Sequence, residues 1–352
     1  MAPIVRIEGF PMPYPENAPL EQWLAQAPPE DVLEPELPII DPHHHLWDCR
    51  NADRDPHVRW EQKVYLCEEI SRDIRDSGHN VVQTVFAQCG AFYRADGPEE
   101  MRCVGETEFV HGMAAMSRSG KYGDMRLCTG IFTSADLQLG QAVERVLKAH
   151  IAASPNFRGI RYPLPAEIDA RFEEGYAILG KLGLSYDNYS PDYERLPRLA
   201  TLAKAHPDVT IIVNHLGGKI DPDAGPAAIA RWKECIDAIA GCPNAVMKCG
   251  GAQQRVGPWE PPFHMHQRPQ GPLGSEELCE LLFPYYQYVI EAFGVERCMF
   301  ESNFPVDKES ISYRTLWNLL KRIAARLGLS DSEKATMFSG TAARVYRLPP
   351  VA

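Results

Sequence analysis

From about residue 38 onward, short apolar runs alternate with longer stretches whose apolar residues recur at three- and four-residue intervals. The short runs are PIIDPHHHLW, VVQTVFAQ, RLCTGIFTS, FRGIRYP, LSYDNY, TIIVNHLGG, NAVMKCGG and RCMFESNFP, each with the length and composition of a strand. Between them, stretches such as LGQAVERVLKAHI, YERLPRLATLAKAH and AAIARWKECIDAIA present one apolar stripe each, as helices facing a core require. Strands that alternate with helices predict parallel βα units, and eight such units fit a closed α/β barrel, the (β/α)8 or TIM barrel, better than an open doubly wound sheet. No glycine-rich phosphate loop follows the first strand, which weighs against a dinucleotide fold. Residues 1–37 are rich in Pro and Glu and show no period, so they read as an N-terminal extension to a barrel of residues 38–352. Two further helical patterns follow Pro305, and no internal repeat is present.

Three segments break the rhythm: residues 49–66 after the first strand, 92–105 after the second and 253–274 after the seventh. All follow strands, so they belong to the face of the barrel where active sites form. Long loops there commonly act as lids.

Composition narrows the partners. At 352 residues, one barrel with extensions accounts for the length as well as two domains would. The net charge of -11, from 36 basic and 47 acidic residues, excludes no small molecule but argues against nucleic acid or an anionic membrane surface. The ten cysteines are scattered, with no C-x-x-C pair and no framework spacing. The first residues carry no basic-then-apolar signal pattern, and no run nears the ~18 apolar residues that span a bilayer. Reduced, buried thiols in a cytoplasmic protein are the expectation.

DPHHHLWD is the most informative stretch. Alternation along a strand puts Asp41, His43 and His45 on one face and His44 on the other. Neutral imidazole is a good ligand for zinc, manganese or iron, and a carboxylate can ligate beside it or orient it. A histidine run on a surface loop is the bland alternative, and its position directly after the apolar PII counts against it.

D-x-H-x-H-x-W opening the first strand, GIRY at the fourth, VNHLGG at the sixth and MFESNFPV at the eighth together resemble the amidohydrolase superfamily. The branch they are most similar to is the amidohydrolase-related one, with L-fuconolactonase-like and 2-pyrone-dicarboxylate-lactonase-like enzymes. The matches run from about Ile39 to the C-terminal ARVYRL. The resemblance implies a site lined by His43, His45 and His215. It also implies a strand-eight aspartate, in a pattern like G-S-D-W-P, that activates water and protonates the leaving group. This chain reads Glu301-Ser302-Asn303-Phe304-Pro305, so Asn303 stands where the family has aspartate. An amide cannot take up a proton near neutral pH. Asp307 and Glu106 are the carboxylates that this reading offers in its place, with a helix-terminal or solvated role as the alternative for both, and Asp187 at the end of the fifth strand is a third candidate.

Arg161 and Lys248, on strands four and seven, would bind a substrate carboxylate or else form salt bridges inside the barrel. Tyr162, Tyr186, Trp259 and His264 are expected as pocket walls, with His266 beside them or facing solvent. The leading function is hydrolysis of a lactone or related cyclic ester or amide of a small, acidic molecule, with or without one divalent metal (zinc, manganese or iron). The alternative on the same fold is an iron- or manganese-dependent hydroxylase, its metal held by Asp41, His43, His45, Glu106, His215 and Asp307. A third reading is a non-catalytic subunit that supports a related partner. Association into a homo- or hetero-oligomer is expected to be open to such a barrel.

Overall fold

A computed structural model describes residues 15–50, 61–257 and 270–350. Eight parallel strands lie in sequence order in one sheet: β1 (Ile39–His44), β2 (Val81–Ala87), β3 (Arg126–Thr133), β4 (Phe157–Tyr162), β5 (Ser185–Asn188), β6 (Ile211–Val213), β7 (Ala245–Cys249) and β8 (Cys298–Phe300). The ring closes just beyond the ends of β1 and β8. There Asn303 N–H donates to the His43 carbonyl at 2.9 Å and His45 N–H to the Phe304 carbonyl at 2.7 Å. Each strand is followed by a helix: Cys67–Ser77, Val104–Arg118, Val143–Ala153, Ala170–Lys181, Leu196–Ala205, Pro226–Ala240, Ser275–Phe293 and Tyr313–Arg326. This is the expected (β/α)8 barrel.

Two apolar layers hold it. Inside the ring, Ile40, Val85, Phe132, Ile212, Val246 and Met299 form one cluster, and the C-terminal segment adds Val345 and Tyr346 to it. Arg158, near the start of β4, donates to the Tyr346 carbonyl at 2.6 Å, and Gln83 to the Pro349 carbonyl at 2.8 Å. The chain end therefore seals the barrel at the N-terminal ends of its strands and leaves the other end for chemistry. Outside the ring, strands and helices share a larger cluster that includes Ile39, Phe86, Ile131, Ile160, Tyr186 and Trp317. At about 2 kcal/mol for each large apolar side chain removed from water, this packing is the main favourable contribution to stability.

The segment before β1 is tied to the last two of these helices. Glu30 accepts from Ser275 N–H at 2.7 Å and Asn318 Nδ2 at 3.0 Å, and Lys321 donates to the Leu33 carbonyl at 2.7 Å. The insertion after β1 is framed by a two-stranded ribbon, Trp47–Asp48 against Val64–Tyr65, with Trp47 Nε1 donating to the Gln62 carbonyl at 2.7 Å. All ten cysteines are free thiols, and all but Cys89 are buried. Among the described residues, no helix is long and apolar enough to cross a membrane.

Two local departures from ideal strands shape the site. The β1–β2 register shifts between Asp41 and His44, the stretch that contains Pro42. A proline has no N–H to donate, so the ladder breaks there and the side-chain alternation slips with it. β6 stops at Val213, so His215 does not continue the strand as the pattern suggested. It starts a short turn, with its own φ at 53° and that of Leu216 at 54°.

Candidate active site

Three side chains converge at the C-terminal ends of the strands: His43 from β1, His215 just past β6 and Glu301 just past β8. One nitrogen or oxygen atom from each lies within 4.8 Å of the other two, and all three residues are buried. Glu301 bridges the rings, with Oε1 2.7 Å from His215 Nδ1 and Oε2 2.9 Å from His43 Nδ1. His45 joins them edge-on, its ring centre 4.9 Å from that of His43. The three imidazoles expected to meet do so.

Neighbouring backbone makes room for this arrangement. A Cβ on Gly250 would run into the Glu301 side chain, and one on Gly251 would stand 2.5 Å from His215 Nδ1. Gly251 also has φ of 65°, a conformation that side chains rarely tolerate. The paired glycines after β7 are thus explained by what sits against them.

Burial sets the protonation states. It pushes Glu301 up to about 7, against the pull of Lys248 and Arg161 in the other direction. It drives His43 well below the usual imidazole range, aided by the charge on Lys248, and His215 likewise, aided by Arg255 and Arg161. Both rings are therefore neutral near pH 7. At His215 the Arg161 donor beside Nε2 fits an Nδ1–H turned toward Glu301, whereas His43 Nδ1 faces both Glu301 and the donor-only Lys248 ammonium. His43 Nε2 is buried and has no hydrogen-bond partner among the described residues. His215 Nε2 lies 3.5 Å from Arg161 Nη2.

Beneath the cluster, the fully buried Lys248 ammonium lies 2.8 Å from Asp187 Oδ1, 3.4 Å from His43 Nδ1 and 4.1 Å from the centre of the Phe132 ring. Tyr346 OH donates to the same Asp187 oxygen at 3.0 Å and Asn214 Nδ2 at 3.3 Å. Burial lowers Lys248 and raises Asp187, and each charge restrains the shift of the other. Of the two roles open to Lys248, the geometry is that of a salt bridge inside the barrel, and it consumes Asp187 as well.

The other expected residues divide. Asn303 lies between His45 and Asp307: its Oδ1 is 3.3 Å from His45 Nε2, and its Nδ2 donates to Asp307 Oδ1 at 2.9 Å. Burial pushes Asp307 well above the usual carboxylate range. Asp41 does not share the face of His43 and His45, because of the slip at Pro42. Its carboxylate accepts from Ser302 Oγ at 2.5 Å, Ser302 N–H at 3.0 Å and Tyr313 OH at 2.9 Å, toward the helix layer. Glu106 pins the loop after β2, where its Oε1 takes the N–H groups of Cys89, Gly90 and Ala91 at 3.0, 2.7 and 3.0 Å. His44 faces the opposite way from His43, with Nε2 2.8 Å from Thr84 Oγ1.

Arg161 points into the site, but Tyr162, next to it, does not. Its hydroxyl donates to Asp136 at 2.7 Å and its ring leans on Phe172 of a surface helix. Tyr186 likewise packs outward against Tyr176 and donates to the Tyr162 carbonyl at 2.9 Å, because its neighbour Asp187 takes the inner face. Neither is a pocket wall. Trp259, His264 and His266 lie outside the described residues. The residue that sequence reasoning passed over is Glu301. It stands at the glycine of the G-S-D-W-P pattern, just past the end of β8 and two positions before Asn303.

A closed parallel barrel with neutral imidazoles bridged by a carboxylate at the C-terminal ends of its strands is the frame of an α/β-barrel hydrolase. The Amidohydrolase family model matches residues 40–348, and the chain belongs to that family. It is 30% identical over 342 residues to an uncharacterized protein of Sinorhizobium fredii, covering 89% of this chain and 99% of that one. It is 26% identical over 321 residues to an L-fucono-1,5-lactonase of Burkholderia multivorans, covering 88% of this chain and 96% of that one. Among solved structures it is similar to a Burkholderia multivorans amidohydrolase with bound zinc, at a TM-score of 0.67 and 24% identity over 88% of this chain and 99% of that one. The protein is a hydrolase of this family.

Proposed function

We propose that the protein opens a lactone or a closely related cyclic ester, with water activated at the His43–Glu301–His215 cluster. The observation that carries this reading is the buried carboxylate bridging two neutral imidazoles at the barrel mouth. The likeness to an L-fucono-1,5-lactonase supports the cyclic-ester substrate.

The cluster suits a divalent cation of the zinc, manganese or iron type. Two nitrogens and a carboxylate are close enough to share one, and His43 Nε2 is a buried ring nitrogen with no hydrogen-bond partner among the described residues. His43, His215 and Glu301 would hold it. Once bound, such an ion makes a water molecule acidic enough to attack at neutral pH and polarises the carbonyl. In the site without an ion, Glu301, pushed up to about 7 by burial, takes the proton that the attacking water loses and returns it to the departing ring oxygen. The products are the hydroxyl and the acid of the opened ring. Burial, aided by the Lys248 charge, keeps His43 unprotonated, and Asp187 pairs with Lys248.

The hydroxylase reading calls for Asp41 and Glu106 in the same shell. Asp41 is occupied by Ser302 and Tyr313, and Glu106 Oε1 by three loop amides, so hydrolysis is the better account. The test is acid release from L-fucono-1,5-lactone, 2-pyrone-4,6-dicarboxylate and simple γ- and δ-lactones, followed with a pH indicator, with and without added zinc or manganese. Turnover of at least one, lost in Glu301→Gln, is expected. No turnover of any, or a Glu301→Gln rate equal to wild type, would overturn the proposal.

A further inference from the structure

The segment before β1 carries a helix, Ala18–Leu24, whose Leu20, Trp23 and Leu24 are buried in the large cluster outside the ring. Asn17, which precedes it, is of a type that ordinarily caps a helix by accepting a hydrogen bond from the first turn. Here the side chain makes no such bond. It is 2% exposed and serves another element: Nδ2 donates to the Val64 carbonyl at 2.9 Å, and Oδ1 accepts from the Lys63 and Val64 N–H groups at 2.9 and 3.2 Å. One turn further along, Glu21 Oε1 lies 2.6 Å from the buried Lys308 ammonium, which also donates to both oxygens of Asp73 at 2.9 Å. Both contacts lead from the helix to the active site.

The route from Asn17 runs through the ribbon after β1. Val64 pairs with Asp48 and Tyr65 with Trp47, and the Trp47 ring lies within 20° of parallel to His45, 6.1 Å from centre to centre. The route from Glu21 runs through the turn Asp307–Glu309 after β8, in which Lys308 is the middle residue. Asp307 Oδ1 accepts from Asn303 Nδ2 at 2.9 Å, and Asn303 Oδ1 faces His45 Nε2 at 3.3 Å. The other ring nitrogen of His45, Nδ1, is 2.9 Å from the Ala87 carbonyl at the end of β2. A ring face and two nitrogens thus set the orientation of this imidazole, and the short helix supports the face and one of the nitrogens. Outer contacts of this kind decide how closely a reacting group is held to its working geometry.

We propose that Asn17 and Glu21 are positioning residues for His45, which makes the helix before the barrel a working part of the active site. That the positioning serves ring opening rests on the hydrolase reading; that the helix sets the His45 ring does not. Loss of the Asn17 bonds frees the ribbon edge that carries Trp47, and loss of the Glu21 charge loosens the turn that carries Asp307. A 1 Å error in a reacting group costs roughly 100-fold in rate, so a ring displaced by about half of that costs about tenfold.

NMR of the full-length protein with isotope-labelled histidine, at one fixed pH, reads the ring environment without any turnover, and His45→Gln assigns the His45 resonance. In Asn17→Ala that resonance should shift, while those of His111, His150 and His206, on or beside outer helices, stay in place. Lactone turnover by the same variant should show kcat down about tenfold or more, with KM changed by less than about twofold. Glu21→Gln, at a part-exposed position, should shift the same resonance by a smaller amount, and it carries the test if Asn17→Ala fails to fold. Glu30→Ala frees the same segment from Ser275 and Asn318 instead, and should move neither the resonance nor kcat. An unmoved His45 resonance in Asn17→Ala, an equal shift in Glu30→Ala, or a shift with no loss of kcat would overturn the proposal. If wild type opens no lactone, the hydrolase reading falls, and the shift alone decides whether the helix sets the His45 ring.

Discussion

Replacing Gly251 with alanine separates backbone strain from damage to the site. Gly251 and Gly183 share a φ of 65°, but a Cβ on Gly183 meets open space whereas one on Gly251 lands 2.5 Å from His215 Nδ1. Gly183→Ala should therefore show only the cost of a side chain in the left-handed region, about 1 kcal/mol. In a domain of this size that lowers Tm by about 2 °C. Gly251→Ala carries the same cost and must also move the imidazole by about 1 Å to regain ordinary contact. That displacement stretches the 2.7 Å bond to Glu301 beyond hydrogen-bonding range. A 1 Å error in a reacting group costs roughly 100-fold in rate. The assay is lactone turnover on both variants beside thermal melts. Equal, near-wild-type rates for the two would show that His215 is not placed by its contact with Gly251, or takes no part in the chemistry.

Two stability experiments probe the buried charges. Burial raises Glu106 from an ordinary value of 4.5 to about 7 in the folded state, so the native protein holds that proton more tightly than the unfolded chain does. Its contribution then falls as pH rises between those two values, and the penalty, about 3 kcal/mol, is complete above the upper one. Glu106→Gln keeps an oxygen for the three loop amides, so its urea-derived stability should drop less between pH 5 and pH 8 than that of wild type; parallel pH slopes would refute the assignment. Lys248→Met leaves Asp187 buried without its counter-charge and should cost about 3–5 kcal/mol, with Asp187→Asn added to it recovering most of the loss. A single variant as stable as wild type would mean that the pair is not what holds Lys248 inside the barrel.

The barrel was legible because every strand is a compact apolar run and every helix shows its own period, and the observed strands fall inside the eight runs. The histidine cluster was legible too, from three rings whose positions recur in a known motif. Where alternation is interrupted, the reading failed: a proline at residue 42 turns Asp41 toward Tyr313, which no two-residue period anticipates. Alternation that does hold would have put Tyr162 and Tyr186 outside, once Arg161 and Asp187 are taken as inward. Glu301 was hidden for a different reason. The motif draws attention to position 303, while the space that accepts a longer carboxylate at 301 is supplied by Gly250 just past the neighbouring strand, a contact that exists only in three dimensions.

Zinc titration of wild type, Glu301→Gln and Glu106→Gln, read by competition with a chromophoric chelator, tests most directly whether Glu301 with the two imidazoles is the working centre. One ion per chain is expected, with affinity reduced about 100-fold or more in Glu301→Gln and unchanged in Glu106→Gln. Undiminished zinc affinity in Glu301→Gln, or its loss in Glu106→Gln, would contradict the account.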